Sequence, residues 1–400
     1  MPTIAYCIVP KIGGTYRFYC YLKAALAPYG WRVYGVSMWD QERALWQTGF
    51  ADPDCVCIGP TLRNPLEIAH ALVSWMIGSG VDVFIPMDSQ IGASAVPHLP
   101  KKIHIINRCS NITRHAYDIV CNNTQYVSRI VSTSERQYRD LSAKRHVSIH
   151  RLSLIPHGLD IEFFRKAASL RTKTQDLIRL GYVGCLEHQD KGCLHLIALT
   201  KRLVKAKLSF RLDIVGSGPQ EAEMQKRLAA LVHMGRVRFL GSLVHTAIPL
   251  ALSDVDILVM PSHFEGFGFS LVEAMAAGCV PVVSRIVGVT DWIVRHGETG
   301  FVCPIGDMRV FSSKIVELAQ NREQWATMSI TAQKDIADRF DLARMGREYV
   351  RVLRDVLLEP IMDSRPHPWS AFRLDPVYAP TWRRYVPQFL KNLARYWGVA

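Results

Sequence analysis

Two carboxylates bracket a glycine-rich turn in residues 261–284, Pro-Ser-His-Phe-Glu-Gly-Phe-Gly-Phe-Ser-Leu-Val-Glu-Ala-Met-Ala-Ala-Gly-Cys-Val-Pro-Val-Val-Ser. Glu265 stands just before Gly266 and Gly268. Glu273 falls inside a segment that reads as a short helix over residues 271–277, with Ser270 as N-cap and Gly278 at its end. Apolar runs at 256–260 and 280–283 read as buried parallel strands on either side. Glycines let a backbone pass close to a ligand, and the first N–H groups of a helix lack partners within it. Such an end favours an anion, and a diphosphate fits. Carboxylates beside a phosphate site are poor phosphate ligands, so Glu265 and Glu273 are expected to hold neutral hydroxyls. A sugar bearing a diphosphate supplies both needs. Ser270-x-x-Glu273 also fits a capping box, a structural role compatible with the functional one.

The elements that must position this turn follow from pattern. In the first half, strands are expected at 4–9, 31–37, 81–86, 103–106 and 119–121, and helices at 16–27, 65–77 and 124–141. Gly13 and Gly14 join the first strand to the first helix. In the second half, strands are expected at 180–184, 211–215 and 237–241. Gly216-Ser-Gly218-Pro219 opens a helix over 221–234, and further helices run to about 358. Alternation of strand and helix predicts α/β architecture with parallel, doubly wound sheets. Ligands in such sheets sit at the carboxyl ends of strands, which singles out Asp88, Asn107 and Arg108. The expected domains are 1–165 and 176–358, with a tail at 359–400. In that tail Val386, Phe389, Leu390, Leu393 and Trp397 recur at helical spacing. Two readings stand for it: a helix docked on the first domain, or an interfacial membrane helix.

Four hundred residues suit two domains, and 49% apolar with 21% charged residues is ordinary for a globular protein. No stretch reads as a signal peptide or is long and apolar enough to span a bilayer. The ten cysteines are scattered, without zinc-type pairs, and read as reduced thiols of a cytoplasmic protein. Asp254-Val-Asp256 stands at the entry to an apolar strand rather than on a loop, so it is not read as a metal motif. The net charge is +13, and residues 101–151 hold ten Lys and Arg against three acids, a balance of +7. Such a basic face suits an anionic membrane surface or a pyrophosphate-linked acceptor. No nucleic-acid motif accompanies it.

The stretch 261–284 resembles the Glu-x7-Glu signature of retaining GT-B glycosyltransferases, the large group 1 (family four) type. The resemblance implies two Rossmann-like domains facing a cleft, the second binding a nucleotide-diphosphate sugar. Glu265 would then touch the donor sugar and Glu273 the ribose hydroxyls, with Gly266, Phe267, Gly268, Phe269 and Ser270 lining the donor. Residues 154–164, Leu-Ile-Pro-His-Gly-Leu-Asp and then Phe163-Phe164, resemble the family's Ile-Pro-Asn-Gly-Val-Asp crossover, with His157 in the Asn place and read as structural. Residues 184–192 resemble its Gly-Arg-x…Lys-Gly element, in which Arg and Lys clamp the diphosphate. Gly184 and Lys191 match, but Cys185 takes the Arg place and removes one positive charge. Gly216 would lie near the nucleotide, and Gly14 would face the donor phosphates from the first domain.

Many members carry a histidine after the strand expected at 103–106. Here Asn107, Arg108 and Cys109 occupy that place, leaving Arg108 and His115 as substitutes and Asp88 for an acceptor hydroxyl. The resemblance further implies a glycan or lipid-linked acceptor in cell-surface polysaccharide or lipopolysaccharide synthesis. It implies no metal in the reaction and no cofactor. Two rivals stand beside it, a nucleotide-sugar epimerase on the same fold and a non-catalytic sugar-nucleotide-binding protein.

Overall fold

The computed structural model describes residues 1–378 apart from 12, 48, 51, 169–176 and 362. The expected tail helix at 386–397 lies outside the described residues. The chain divides into two compact units, Met1–Gly158 with the chain from Ala343 onward, and Leu159–Leu342.

The first unit holds seven strands: β1 (Thr3–Cys7), β2 (Arg32–Met38), β3 (Cys55–Ile58), β4 (Val83–Ile85), β5 (His104–Arg108), β6 (Val127–Ser132) and β7 (Leu152–Leu154). They form one sheet in the order β3-β2-β1-β4-β5-β6-β7, and every pairing is parallel. All five residues of β1 are buried, as a strand covered on both faces requires.

Residues 119–141 differ from expectation. Residues 119–121 end the helix Arg114–Cys121 rather than forming a strand, and the expected long helix is replaced by β6 and the short helix Glu135–Arg139. The sequence Val-Ser-Arg-Ile-Val-Ser carries enough polar residues to mimic a helix face. Pairing on both sides, with β5 and β7, decides for strand.

The last helix, Leu342–Leu358, was expected with the second domain but belongs to the first unit from Ala343. Gly346 explains the attachment, because a Cβ there would come within 2.5 Å of the Ala25 carbonyl oxygen. The chain beyond it lies along the same unit. His367 N–H donates to Pro97 O at 2.8 Å, Asp375 N–H to Ser94 Oγ at 2.8 Å and Tyr378 O–H to Met87 O at 3.0 Å.

The second unit holds β8 (Ile178–Val183), β9 (Phe210–Val215), β10 (Val237–Gly241), β11 (Ile257–Met260), β12 (Val280–Ser284) and β13 (Phe301–Cys303). Their order is β10-β9-β8-β11-β12-β13, again parallel throughout. Leu180, Leu212, Ile257, Val259 and Phe311 are fully buried in its core. Strand order reverses between β8 and β11, so the loops leaving those two strands flank the switch point where doubly wound sheets bind ligands. Those loops are residues 184–192 and 261–268.

Asp254 and Asp256 serve this scaffold. The Arg179 guanidinium, in β8, donates to both Asp256 oxygens at 3.1 and 3.2 Å and to Asp254 Oδ1 at 2.7 Å. Arg211 takes the other Asp254 oxygen. The pair is thus occupied by guanidinium groups at the entry to β11. Among the described residues no helix is long and apolar enough to cross a membrane, and all ten cysteines are unpaired.

Candidate active site

Backbone packing, not side-chain affinity, brings the two loops of the second unit together. Glu187 caps the short helix His188–Lys191 by accepting from the amides of Gln189 and Asp190. Gly192 ends it at φ +62°, and a Cβ there would meet the Pro261 carbonyl oxygen at 2.1 Å. No other residue fits that position. Across the gap, Asp190 O accepts from His263 N–H at 2.8 Å and Phe264 N–H at 3.0 Å.

This zipper delivers two charged side chains to one point. Lys191 Nζ donates to Glu265 Oε1 at 2.8 Å, although they are 74 residues apart. Ser262 Oγ–H donates to the same oxygen at 2.9 Å. Glu265 is buried, while Lys191 keeps 32% of its side chain exposed. Burial alone would lower the Lys191 pKa, but the adjacent carboxylate outweighs it and holds the ammonium protonated.

The glycine turns form a second close contact. A Cβ on Gly216 would meet Gly184 O at 1.9 Å, and one on Gly218 would meet Leu186 O at 2.5 Å. Cys185 sits exposed beside them. Its thiol is raised by burial and by Glu187, with Lys191 pulling the other way. It therefore supplies no charge where the family pattern has Arg.

In the signature, the helix runs Phe269–Ala276 and is capped by Gly268 at φ +99°, not by Ser270. Ser270 is its second residue, so the capping-box geometry is not formed. Phe267 is buried against Phe269 and Phe340, with ring centroids 5.6 and 5.7 Å away, and anchors the loop. Gly266 precedes it on the loop. Glu273 is fully buried, with His245 Nδ1 at 3.8 Å from its Oε1. Lys191, Glu265, Gly184 and Gly216 thus gather at the strand ends, whereas Glu273 lies beneath the surface.

The remaining candidates belong to the first unit. Gly14 opens the helix Gly14–Leu26, the next element after β1. Arg108 is the last residue of β5, which runs two residues past the expected strand end at 106, and it is only 5% exposed. Its Nη2 donates to Tyr6 Oη at 3.1 Å, and its guanidinium carbon lies 4.1 Å from the centre of the Phe18 ring. Its Nε and Nη1 have no hydrogen-bond partner among the described residues. Burial raises the Asp88 pKa, and Arg108 and His115 both oppose the rise, so the three lie within one electrostatic neighbourhood. Burial also pushes the Tyr6 phenol up to about 12. Asn107 uses one amide N–H inside the protein, donating to Val120 O at 2.8 Å.

Three histidines, absent from the expectations above, also meet here. His188, His195 and His263 present ring nitrogens within 4.8 Å of one another. They are 7 and 68 positions apart along the chain, a spacing without a local signature. Only the loop zipper could reveal them.

The family described as glycosyl transferases group 1 matches residues 164–335. N-acetyl-alpha-D-glucosaminyl L-malate synthase of Bacillus anthracis is 30% identical over 154 residues, 38% of this chain and 40% of that protein. The lipopolysaccharide core biosynthesis mannosyltransferase LpsB of Rhizobium meliloti is 27% identical over 219 residues, 51% of this chain and 61% of the relative. The chain therefore spans about half the length of the curated relatives it matches. Among solved structures, Anabaena Alr3699/HepE in complex with UDP superposes with a TM-score of 0.71 at 18% identity, covering 89% of this chain and all of that one. A Rickettsia africae glycosyltransferase gives 0.70 at 13% identity, covering 90% and 99%. Two parallel sheets ordered as above, superposing on solved glycosyltransferases, give this chain the GT-B fold, and residues 164–335 of its second unit resemble the glycosyl transferases group 1 family.

Proposed function

We propose that the chain is a retaining glycosyltransferase that moves a sugar from a nucleotide-diphosphate sugar to a hydroxyl of a glycan or lipid-linked acceptor. The observation that carries the reading is the Lys191–Glu265–Ser262 constellation, held by glycine-fixed loops at the switch point. The names of the matched relatives support it, as does the Anabaena neighbour solved with UDP-glucose.

In this reading Glu265 binds sugar hydroxyls, and Lys191 exchanges that carboxylate for the donor diphosphate. Glu265 keeps the Ser262 hydrogen bond throughout. The bond from the anomeric carbon to the diphosphate oxygen breaks as the acceptor oxygen bonds to the same face. The acceptor proton passes to a donor phosphate oxygen. Charge growing on the departing diphosphate is met by Lys191 and by the N-terminal turn of Phe269–Ala276. The transfer step calls on no metal. On the acceptor side, the unmatched Arg108 nitrogens suit an anionic group and Asp88 a hydroxyl. Several cations of the basic stretch already pair with carboxylates, namely Arg129, Arg136, Arg139, Lys144 and Arg145. Attraction to an anionic membrane would fall to the others.

The test is incubation with a panel of nucleotide sugars, UDP-glucose first, with and without a lipid extract. Nucleotide release that needs the extract, and that Glu265→Ala abolishes without unfolding, is the expected result. Donor conversion without an acceptor would instead indicate an epimerase. Binding without release would indicate a sugar-nucleotide-binding protein.

A further inference from the structure

We propose that His188, His195 and His263 form a binding site for a zinc-class divalent cation that staples the two active-site loops together. The argument is geometric. The ring centroids lie 5.0 Å apart for His188–His195, 5.1 Å for His188–His263 and 4.9 Å for His195–His263, with interplanar angles of 70°, 70° and 78°. A zinc ion held by three imidazole nitrogens at tetrahedral angles sets nitrogens about 3.3 Å apart and ring centroids about 5.2 Å apart. The near-equilateral triangle of ring centroids is already close to that size.

The hydrogen bonds fit as well. His263 Nδ1 lies 3.0 Å from Gln189 O, and a carbonyl only accepts, so Nδ1 carries the hydrogen and Nε2 keeps its lone pair. That backbone contact fixes the tautomer, as outer partners of metal-binding histidines do. The lone pair faces His195 Nε2 at 2.7 Å, closer than two ligands of one metal stand, so His195 donates a hydrogen there. A cation in the triangle replaces this hydrogen, which moves to His195 Nδ1, and the two nitrogens separate by about 0.6 Å to their ligand spacing. His188 gives up its contact from Leu194 N–H, a long one at 3.3 Å. All three rings are half-buried, which leaves room for a water as fourth ligand. Three imidazoles without a thiolate favour zinc over magnesium or calcium.

Placement gives the site a purpose. His188 precedes Lys191 by three residues, His263 precedes Glu265 by two, and His195 opens the next helix. A cation bound to all three would fix the separation of the loops that carry the Lys191–Glu265 pair.

The test uses the full chain without an affinity tag, stripped with a chelator and titrated with Co²⁺ and then Zn²⁺. Expected are a single equivalent of Co²⁺ with visible d–d absorption, its displacement by Zn²⁺, and a higher melting temperature with zinc than without. His195→Gln and His263→Gln should each weaken binding at least about tenfold, the scale seen even for outer-shell changes. Circular dichroism of the metal-free variants checks folding, and His188→Gln decides if either variant fails to fold. Absence of saturable binding, or affinity unchanged in the folded variants, overturns the proposal. None of these readouts depends on sugar transfer.

Discussion

Each unit buries an arginine in its parallel sheet, and the two are treated in opposite ways. Arg179, in β8 of the second unit, is 3% exposed and saturated by Asp254 and Asp256, with its own backbone N–H also bonded to Asp256 at 2.9 Å. Arg108, in β5 of the first unit, is 5% exposed, and its guanidinium donates to a phenol oxygen and lies over an aromatic face. Two of its nitrogens have no hydrogen-bond partner among the described residues. A buried cation needs partners because leaving a donor dry costs about 1–3 kcal/mol. An arginine kept for architecture is matched as Arg179 is. Arg108 is instead left with donors to spare, as an arginine kept for a ligand would be.

The largest effect should follow from unmatching Arg179. Asp256→Ala strands the guanidinium in the sheet, and breaking a buried pair from one side costs about 3–5 kcal/mol. Urea denaturation of the second unit should show a loss of that size. A loss below 1 kcal/mol would mean that Arg179 is not matched through Asp256, and the contrast would fail.

Lys191 lies between the two cases, since it is paired but partly open to solvent. Lys191→Met should cost little stability. It should lower kcat about 10²–10³-fold, the scale for removing one charge-stabilising donor from an active site. Steady-state nucleotide release with saturating donor reads this. Equal kcat in variant and wild type would reduce the Lys191–Glu265 pair to a structural contact like that of Arg179.

The second unit was the more legible in sequence for a physical reason. Its central strands Ile257–Met260 and Val280–Ser284 are buried along their whole length, so their composition announces them. The glycine turns are forced by backbone contacts that nothing else fits, so Gly184, Lys191-Gly192 and Gly216 stand out as motifs. β6 did not stand out, because its polar positions are tolerated only through pairing with β5 and β7. Ser270 looked like a cap because cap chemistry is local. The left-handed turn at Gly268 that starts the helix earlier is a backbone fact that composition does not encode. The burial of Arg108 and the meeting of three histidines depend on contacts between distant segments.

A pH profile probes the surroundings of Arg108. His157 is buried against Phe18, with ring centroids 4.8 Å apart. Burial, and secondarily Arg108, hold its pKa well below 6.5. The unfolded chain therefore binds a proton below about pH 6.5 that the native chain refuses, and stability is lost as the pH is lowered below that value, by up to about 1.4 kcal/mol per pH unit for that proton. Burial likewise lowers His98 and His104 in the same unit. His157→Asn should remove one proton's share of the acid slope and leave the other two. Melting temperatures between pH 7.5 and 5 measure it, and an unchanged slope would mean that His157 is protonated in the native chain.

The smallest effect on stability is expected at Arg108 itself. Arg108→Met keeps the apolar stem over Phe18 and removes a charge that makes no hydrogen bond to a carboxylate among the described residues, with Asp88 acting on it only through space; such replacements are often neutral or slightly stabilising. Arg179→Met, by contrast, leaves Asp256 unpaired in the sheet and should destabilise. Function should move the other way. If Arg108 holds an anionic group of the acceptor, Arg108→Met raises the acceptor KM while slow donor hydrolysis without acceptor continues. A stability loss in Arg108→Met as large as that in Arg179→Met would show both arginines to be scaffold. An unaltered acceptor KM would show that the spare donors of Arg108 face no substrate.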